Sequence, residues 1–180
     1  ALTYDDGPGD ASETKILDCL EQNGAVATFF YTGTRATKRP DQNKRAKTLG
    51  CEMGNHSWNH PQLTKISPEA AQDQLTRTND AVQSACGSAP TVFRPCYGAT
   101  NDTVNSLAQM PVIMWSIDTL DWKSKNVTEI IGKVMQQISD HDIILMHDYY
   151  ETSVEAALQI VDRLQQEGYE FVTVEDLILE

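Results

Sequence analysis

Leu2-Thr3-Tyr4-Asp5-Asp6-Gly7-Pro8 is a short strand pattern that stops on two adjacent carboxylates and a turn. The same event recurs downstream. The β-rich run Ala25-Val26-Ala27-Thr28-Phe29-Phe30-Tyr31 gives way to a polar, Lys-rich stretch reaching Leu49. Thr91-Val92-Phe93 ends at Arg94, Val112-Ile113-Met114-Trp115-Ser116-Ile117 at Asp118, and Ile143-Ile144-Leu145-Met146 at His147-Asp148. Phe171-Val172-Thr173-Val174 reads as a last strand.

Helical patterns lie between these runs. Ser12 can cap a helix carrying Ile16, Leu17 and Leu20, with Gly24 at its end. Ser67-Pro68 starts another, with Pro at the first helical position and Ala71, Leu75, Val82 and Ala85 facing inward. Val127 to Ile138 is amphipathic, and Val154 to Leu164 is helical and closed by Gly168. Alternating strands and helices imply an α/β fold with parallel strands and right-handed crossovers. In a (β/α) barrel the strand ends converge on one face, where active sites sit. Unusual polar residues recur just there: Asp5 and Asp6, His56, Arg94, Asp121 and His147.

Asn55-His56-Ser57-Trp58-Asn59-His60 carries two histidines four residues apart, a spacing that can place both rings on one side of a helical turn. With the Asp5-Asp6 pair they supply two imidazoles and an acid. A catalytic zinc takes three protein ligands and keeps a position for water. The zinc-protease motif needs Glu at position 57, where this chain has Ser57, so the general base comes from elsewhere. Asp5 is the candidate. Each motif alone also has a plain reading: a solvated turn, a surface histidine pair, an ion-paired arginine. Trp115 reads as core and Asp148 as a structural acceptor.

The 180 residues suffice for one domain with a core. The net charge of −12 argues against nucleic acid and against an anionic membrane surface. No stretch is long and apolar enough to span a bilayer. The chain opens inside a strand pattern at Ala1, so we expect a piece of a longer chain. Cys19, Cys51, Cys86 and Cys96 form no C-x-x-C pair, and their spacing suits two disulfides or buried thiols equally. Three Asn-x-Ser/Thr triplets, at Asn55, Asn101 and Asn126, read as chance matches.

Five segments, in order, resemble the motifs of the polysaccharide deacetylases of carbohydrate esterase family 4, the NodB-homology domain. They are Thr3-Tyr4-Asp5-Asp6-Gly7-Pro8, His56-Ser57-Trp58-Asn59-His60, Arg94-Pro95-Cys96-Tyr97-Gly98, Asp118-Thr119-Leu120-Asp121-Trp122 and Leu145-Met146-His147-Asp148. The resemblance implies a distorted, incomplete (β/α) barrel of about seven parallel strands over residues 1–180. It implies Asp5 as general base, Asp6, His56 and His60 as ligands of one divalent metal ion, and Arg94 as the group that orients Asp5. Zinc is the expected metal, with cobalt or another divalent ion following the same ligand logic. His147 would be the general acid, tuned by Asp121. Trp122 and Leu145 would wall the acetyl pocket, and the Tyr97 N–H would face the oxyanion.

The implied activity is removal of acetyl groups from carbohydrate polymers, foremost N-acetylglucosamine units of peptidoglycan or chitin-like chains. O-deacetylation of xylan and a non-catalytic, metal-containing carbohydrate-binding module are the alternatives. The implied setting is extracellular or cell-envelope, as a monomer acting on an oligosaccharide or polymer. Cys96 stands where relatives often carry a second proline, and Arg35 to Leu49 is short and polar for the family's second helix.

Overall fold

The computed structural model describes residues 1–179. Strand β1 (Leu2–Asp5) leads to helix α1 (Ala11–Asn23) and β2 (Thr28–Tyr31). Then come α2 (Gly33–Lys38), α3 (Pro40–Thr48) and β3 (Glu52–Asn55). Helix α4 (Pro68–Cys86), β4 (Val92–Phe93), α5 (Asp102–Ala108) and β5 (Ile117–Asp118) follow. The chain continues through α6 (Asp121–Ser124), α7 (Val127–Gln137), β6 (Ile144–His147), α8 (Glu151–Gln166) and α9 (Val174–Leu179).

The described residues form one six-stranded sheet in the order β4-β3-β2-β1-β6-β5. Every pairing is parallel. Buried on both faces, such strands read as continuous apolar runs, as β2 and β6 do. The register sets the strand ends level. Asp5 lies opposite Phe30 on one side and His147 on the other, and Asn55 opposite Tyr31 and Phe93. His56 and Arg94, each one residue further on, therefore arrive at the same rim.

The caps explain several element starts. Ser67 accepts a hydrogen bond from the Ala70 N–H, and Pro68 fills the first helical position of α4. Gly24 and Gly87 take left-handed backbone at the ends of α1 and α4, a conformation glycine adopts without steric cost. Helix α1 begins after Asp10, so Ser12 sits inside it and does not cap it. Asn101 and Asn126 cap α5 and α7 through their side-chain oxygens, and Asn55 is fully buried. Those three positions thus have local structural roles.

Two strand expectations give way to tertiary geometry. The run from Val112 to Ile117 forms a strand only at its last residue, where β5 begins. It crosses the open gap between the two sheet edges. Val112 bridges Phe93, the Ile113 N–H reaches the Phe93 carbonyl, and Ile117 pairs Ile144. This irregular crossing makes the barrel distorted and leaves the strand count at six. Phe171-Val172-Thr173-Val174 is no strand. Thr173 and Asp176 bond each other across the first turn of α9, a capping box that starts a helix. Thr28 and Glu52 accept the Val174 and Glu175 N–H groups. The polar stretch after Arg35 forms α2 and α3, with Asn43 and Ala46 buried.

The main core packs Leu2, Phe29, Tyr31 and Met146 of the sheet against Ile16, Leu20, Ile130, Val134 and Ile160 of the surrounding helices. No helix of the described residues is long and apolar enough to cross a membrane. All four cysteines are free thiols, with Cys51 and Cys96 buried.

Candidate active site

The strand ends border a cavity of about 420 Å³. Eight residues nominated from the sequence line it: Asp5, Asp6, His56, His60, Tyr97, Trp122, Leu145 and His147. Arg94 and Asp121 lie behind that wall, each fully buried. Trp115, Gly98, Asp118, Tyr149 and Tyr150 also line it. Trp115, read as core, is a wall of the cavity. The tyrosines after Asp148 carried no chemical signal in the sequence beyond their position past a strand end.

Local backbone strain marks this rim. Asp6, Ser57, His60, Tyr97 and Leu120 all take positive φ. Such conformations are costly for non-glycine residues and persist where surrounding structure over-determines them. The two histidines do not share a helical turn. His56 and His60 belong to a loop with reversals at Ser57 and His60, and the loop is tied down on all sides. The Asn55 side chain accepts the Ser57 N–H, Ser57 Oγ accepts the His60 N–H, and Gln74 accepts those of Trp58 and Asn59. The Ser57 and Trp58 carbonyls accept the Gly33 and Thr34 N–H groups. A Cβ at Gly33 would come within 2.3 Å of the Trp58 ring, so only glycine lets α2 approach this closely.

His56 and His60 both direct Nε2 at one oxygen of Asp6. The Asp6 Oδ1 atom lies 3.4 Å from His56 Nε2 and 3.2 Å from His60 Nε2. It is buried and makes no hydrogen bond. His56 Nδ1 lies 2.7 Å from the Arg94 carbonyl. That bond requires a proton on Nδ1, so neutral His56 presents a lone pair at Nε2. Ligating histidines are oriented by such outer bonds. Burial and the neighbouring His56 outweigh Asp6 and lower the His60 pKa, which keeps it neutral. Burial opposes ionisation of Asp6, but positive charge on the facing His56, His60 and His147 outweighs it and holds the carboxyl well below its usual range. Burial likewise lowers the His56 pKa, but Asp5 and Asp6 outweigh it and raise it overall, so the cluster draws in positive charge, as a proton or as a cation. An ionised carboxylate oxygen facing two imidazole nitrogens is a donor set that could hold a divalent cation in place of a proton.

Cys96 complicates this set. Its sulfur and the two imidazoles could also share an ion, because their ligand atoms all lie within 4.8 Å of one another. Sequence reasoning did not count it among the ligands. Burial pushes the thiol up to about 12. The Sγ atom lies 3.2 Å from Ser57 Oγ and 3.4 Å from the His56 carbonyl, which can accept its proton.

Arg94 organises the opposite wall. Its guanidinium donates to Asp5 Oδ1 at 2.8 Å, Thr3 Oγ1 at 2.7 Å, the Ile113 carbonyl at 3.2 Å and the Met114 carbonyl at 3.0 Å. It also lies 4.1 Å from the centre of the Phe30 ring. One residue thus ties β1 to the irregular crossing segment. Asp5 Oδ1 is occupied by Arg94, while Oδ2 lies 3.8 Å from His56 Nε2. The arginine leaves that second oxygen free for other work.

Asp121 does the same for His147. Its Oδ1 accepts from His147 Nδ1 and from the Trp122 N–H, each at 2.8 Å. Its Oδ2 accepts the His147 N–H at 2.7 Å. Burial lowers the His147 pKa, but the bond and charge of Asp121, with Asp5 and Asp6, raise it overall. The site therefore holds a carboxylate oriented by arginine, a cation-ready cluster and a histidine biased toward its protonated form.

A family model for polysaccharide deacetylases matches residues 1–114. The chain is 43% identical to the peptidoglycan-N-acetylmuramic acid deacetylase PdaC of Bacillus subtilis over 98% of its length. It is 40% identical to the peptidoglycan-N-acetylglucosamine deacetylase PgdA of Listeria monocytogenes over the same share. It spans 38% of the length of each of these relatives. The solved structure of PdaC superimposes with a TM-score of 0.96, covering 98% of this chain and 88% of that one. A carbohydrate esterase family 4 pseudoenzyme from Bacillus anthracis, 30% identical, superimposes with a TM-score of 0.91 over 98% of this chain and 64% of that one. From sequence match and superposition together, this chain belongs to the polysaccharide deacetylase family, carbohydrate esterase family 4.

Proposed function

We propose that this chain is the catalytic domain of a metal-dependent hydrolase that removes N-acetyl groups from peptidoglycan sugars outside the cell membrane. We take residues 1–180 as one domain of a longer secreted protein. The single observation that carries the reading is the unbonded Asp6 oxygen between His56 and His60, with Asp5 and His147 in the same cavity. PdaC and PgdA, named as peptidoglycan deacetylases, support the choice of polymer.

Asp6, His56 and His60 would hold the ion, zinc or another divalent metal. Bound there, it supplies Lewis-acid polarisation of the acetyl carbonyl and acidifies water. Asp5 takes the proton of the attacking water through Oδ2, while Arg94 fixes Oδ1. The backbone N–H of Tyr97 supports the developing oxyanion. His147, protonated on Nε2 and braced at Nδ1 by Asp121, gives its proton to the departing amine. An amine leaves poorly as an anion, so the bias of His147 toward the cation is what amide cleavage requires. Leu145, buried, and Trp122, half exposed, wall the part of the cavity that would take the acetyl methyl group.

Acetate release from peptidoglycan fragments, chitooligosaccharides and acetylated xylooligosaccharides, with metal analysis alongside, tests the assignment. Release from the N-acetylated substrates with one bound ion is expected. Release from xylan alone would make the domain an O-deacetylase. No release from any substrate would place it with the pseudoenzyme.

A further inference from the structure

Glu13 and Asp148 are two buried carboxyls that the proposed mechanism does not use. Both are 0% exposed. Glu13 lies in the first turn of α1, and Asp148 follows His147 at the end of β6. They sit around one residue: Tyr31 donates its hydroxyl to Glu13, and its ring edge and Asp148 Oδ2 both crowd the point a Gly7 Cβ would occupy, 2.9 Å and 1.9 Å from it. Each nevertheless has one oxygen without a donor: Oε2 of Glu13 and Oδ1 of Asp148. The remaining oxygens are used. The Tyr31 hydroxyl donates to Glu13 Oε1, and the Gly9 N–H donates to Asp148 Oδ2 at 3.1 Å.

This pair sits directly beneath the loop that carries Asp6. A Cβ at Gly7 would lie 1.9 Å from Asp148 Oδ2, and one at Gly9 would lie 2.7 Å from the Asp148 carbonyl. The two glycines allow the loop to rest on Asp148. The Gly7 carbonyl is held in turn by the Thr32 N–H at 2.9 Å. Asp148 therefore touches the loop after Asp6 while its neighbour His147 faces the cavity.

We infer that Glu13 and Asp148 share a single proton, and that this carboxyl–carboxylate bond positions the Asp6 loop against His147. Two fully buried carboxyls packed around the same tyrosine cannot both be ionised cheaply, and neither can bond the other without a proton between them. One proton satisfies both orphaned oxygens at once. The groups facing the pair do not replace it. Tyr31 and Tyr4 are neutral phenols whose pKa values burial raises well above the ordinary value. Cys51 is a buried thiol pushed up to about 11. Arg39 and Arg35 favour ionisation only as weaker opposing influences, and Asp6 adds negative charge. Burial, above all, carries Glu13 up to about 7 and Asp148 well above its usual range. Glu13 and Asp148 are positioning residues, since neither lines the cavity.

The idea rests on the deacetylase reading for its catalytic half alone. Its protonation half is tested by stability. A carboxyl raised in the folded state makes the fold lose stability as pH climbs from the ordinary value of 4.5 to about 7. Glu13→Gln supplies a permanent neutral donor to Asp148. Melting temperatures of wild type and Glu13→Gln across that window should converge toward a flatter profile in the variant. A Glu13→Gln profile as steep as wild type overturns the shared proton, whether or not the protein deacetylates anything. The catalytic half is read from kcat and KM on a chitooligosaccharide. Glu13→Gln should stay within about twofold of wild type, whereas Glu13→Ala should lose about tenfold or more in kcat with KM little changed. A Glu13→Ala protein with wild-type kcat, or a Glu13→Gln protein as impaired as Glu13→Ala, would refute positioning by this bond.

Discussion

Replacing Asp121 by Asn tests the acid side of the site with little change in shape. The carboxylate accepts three hydrogen bonds, two on Oδ1 and one on Oδ2. Asparagine has a single acceptor oxygen. With that oxygen on the imidazole side, its NH2 faces the His147 N–H, donor against donor. One buried N–H is then orphaned at a cost of about 1–3 kcal/mol. The lost charge matters more for chemistry. A contact of 2.8 Å places the charge centres roughly 4 Å apart. At an effective dielectric near 20 their attraction is about 4 kcal/mol before solvent screening, and it favours the protonated imidazole. The His147 side chain is 13% exposed, and the amide oxygen still accepts from it. The His147 pKa therefore falls in the variant, by less than the full attraction would carry it.

The assay is the pH dependence of kcat/KM for acetate release from an N-acetylated oligosaccharide. The alkaline limb reports the acid, so it should move to lower pH, with a rate loss of about 10–100-fold above the limb and much less below it. Stability should follow the same sign. A histidine raised in the folded state stabilises the fold below its unfolded pKa of about 6.5, and that contribution fades as pH rises through the folded value. Asp121→Asn should thus be destabilised more at acid than at alkaline pH. A folded Asn variant with an unmoved alkaline limb would show that His147 is not the acid, or that Asp121 does not tune it.

Four further outcomes follow from the geometry. His56→Ala should lose the bound ion and the activity together, by metal analysis and acetate release; an active, metal-free variant would refute the ligand set. Arg94→Met leaves Asp5 buried beside no cation and should cost about 3–5 kcal/mol in urea unfolding, so a loss under about 1 kcal/mol would contradict the structural weight given to the arginine. Cys96→Ala should keep one bound ion and substantial activity, because the buried thiol keeps its proton at neutral pH; loss of metal would make the thiol a ligand. A butyryl amide should be cleaved far more slowly than an acetyl amide, since overfilling the wall of Leu145 and Trp122 costs about 1–3 kcal/mol, and equal rates would remove that wall from the specificity.

The strand ends were legible because each apolar run stops at a residue type that strands do not favour. Asp5, Arg94 and His147 are level because parallel register makes them so. The helices announced themselves through period and caps at Ser67, Gly24 and Gly168. What was hidden was tertiary. Val112 to Ile117 is apolar because it seals a gap, and an apolar run alone cannot be told from a strand. The histidine pair has helical spacing but loop geometry, since Asn55 and Gln74 side chains hold the reversals. Trp115, Tyr149 and Tyr150 look like core or surface aromatics until the cavity exists. Glu13 reads as an ordinary first-turn acid on an amphipathic helix, and only its complete burial sets it apart.

The sheet order has a consequence for how the molecule comes into being. Strand β1 pairs with β2 nearby in sequence, but also with β6, with Leu2 opposite Ile144. During synthesis the edge of β1 that will meet β6 emerges long before its partner exists. Until residues near 144 leave the ribosome, that edge presents unpaired backbone groups from an apolar strand, a template for wrong pairing between nascent chains. The long-range closure is also entropically slow. The half that carries Asp5, Asp6, His56, His60 and Arg94 can pair its strands first. The acid half, Asp121 and His147, joins only when β6 docks. Assembly order thus separates the two sides of the chemistry, and the site becomes whole at the last strand to arrive.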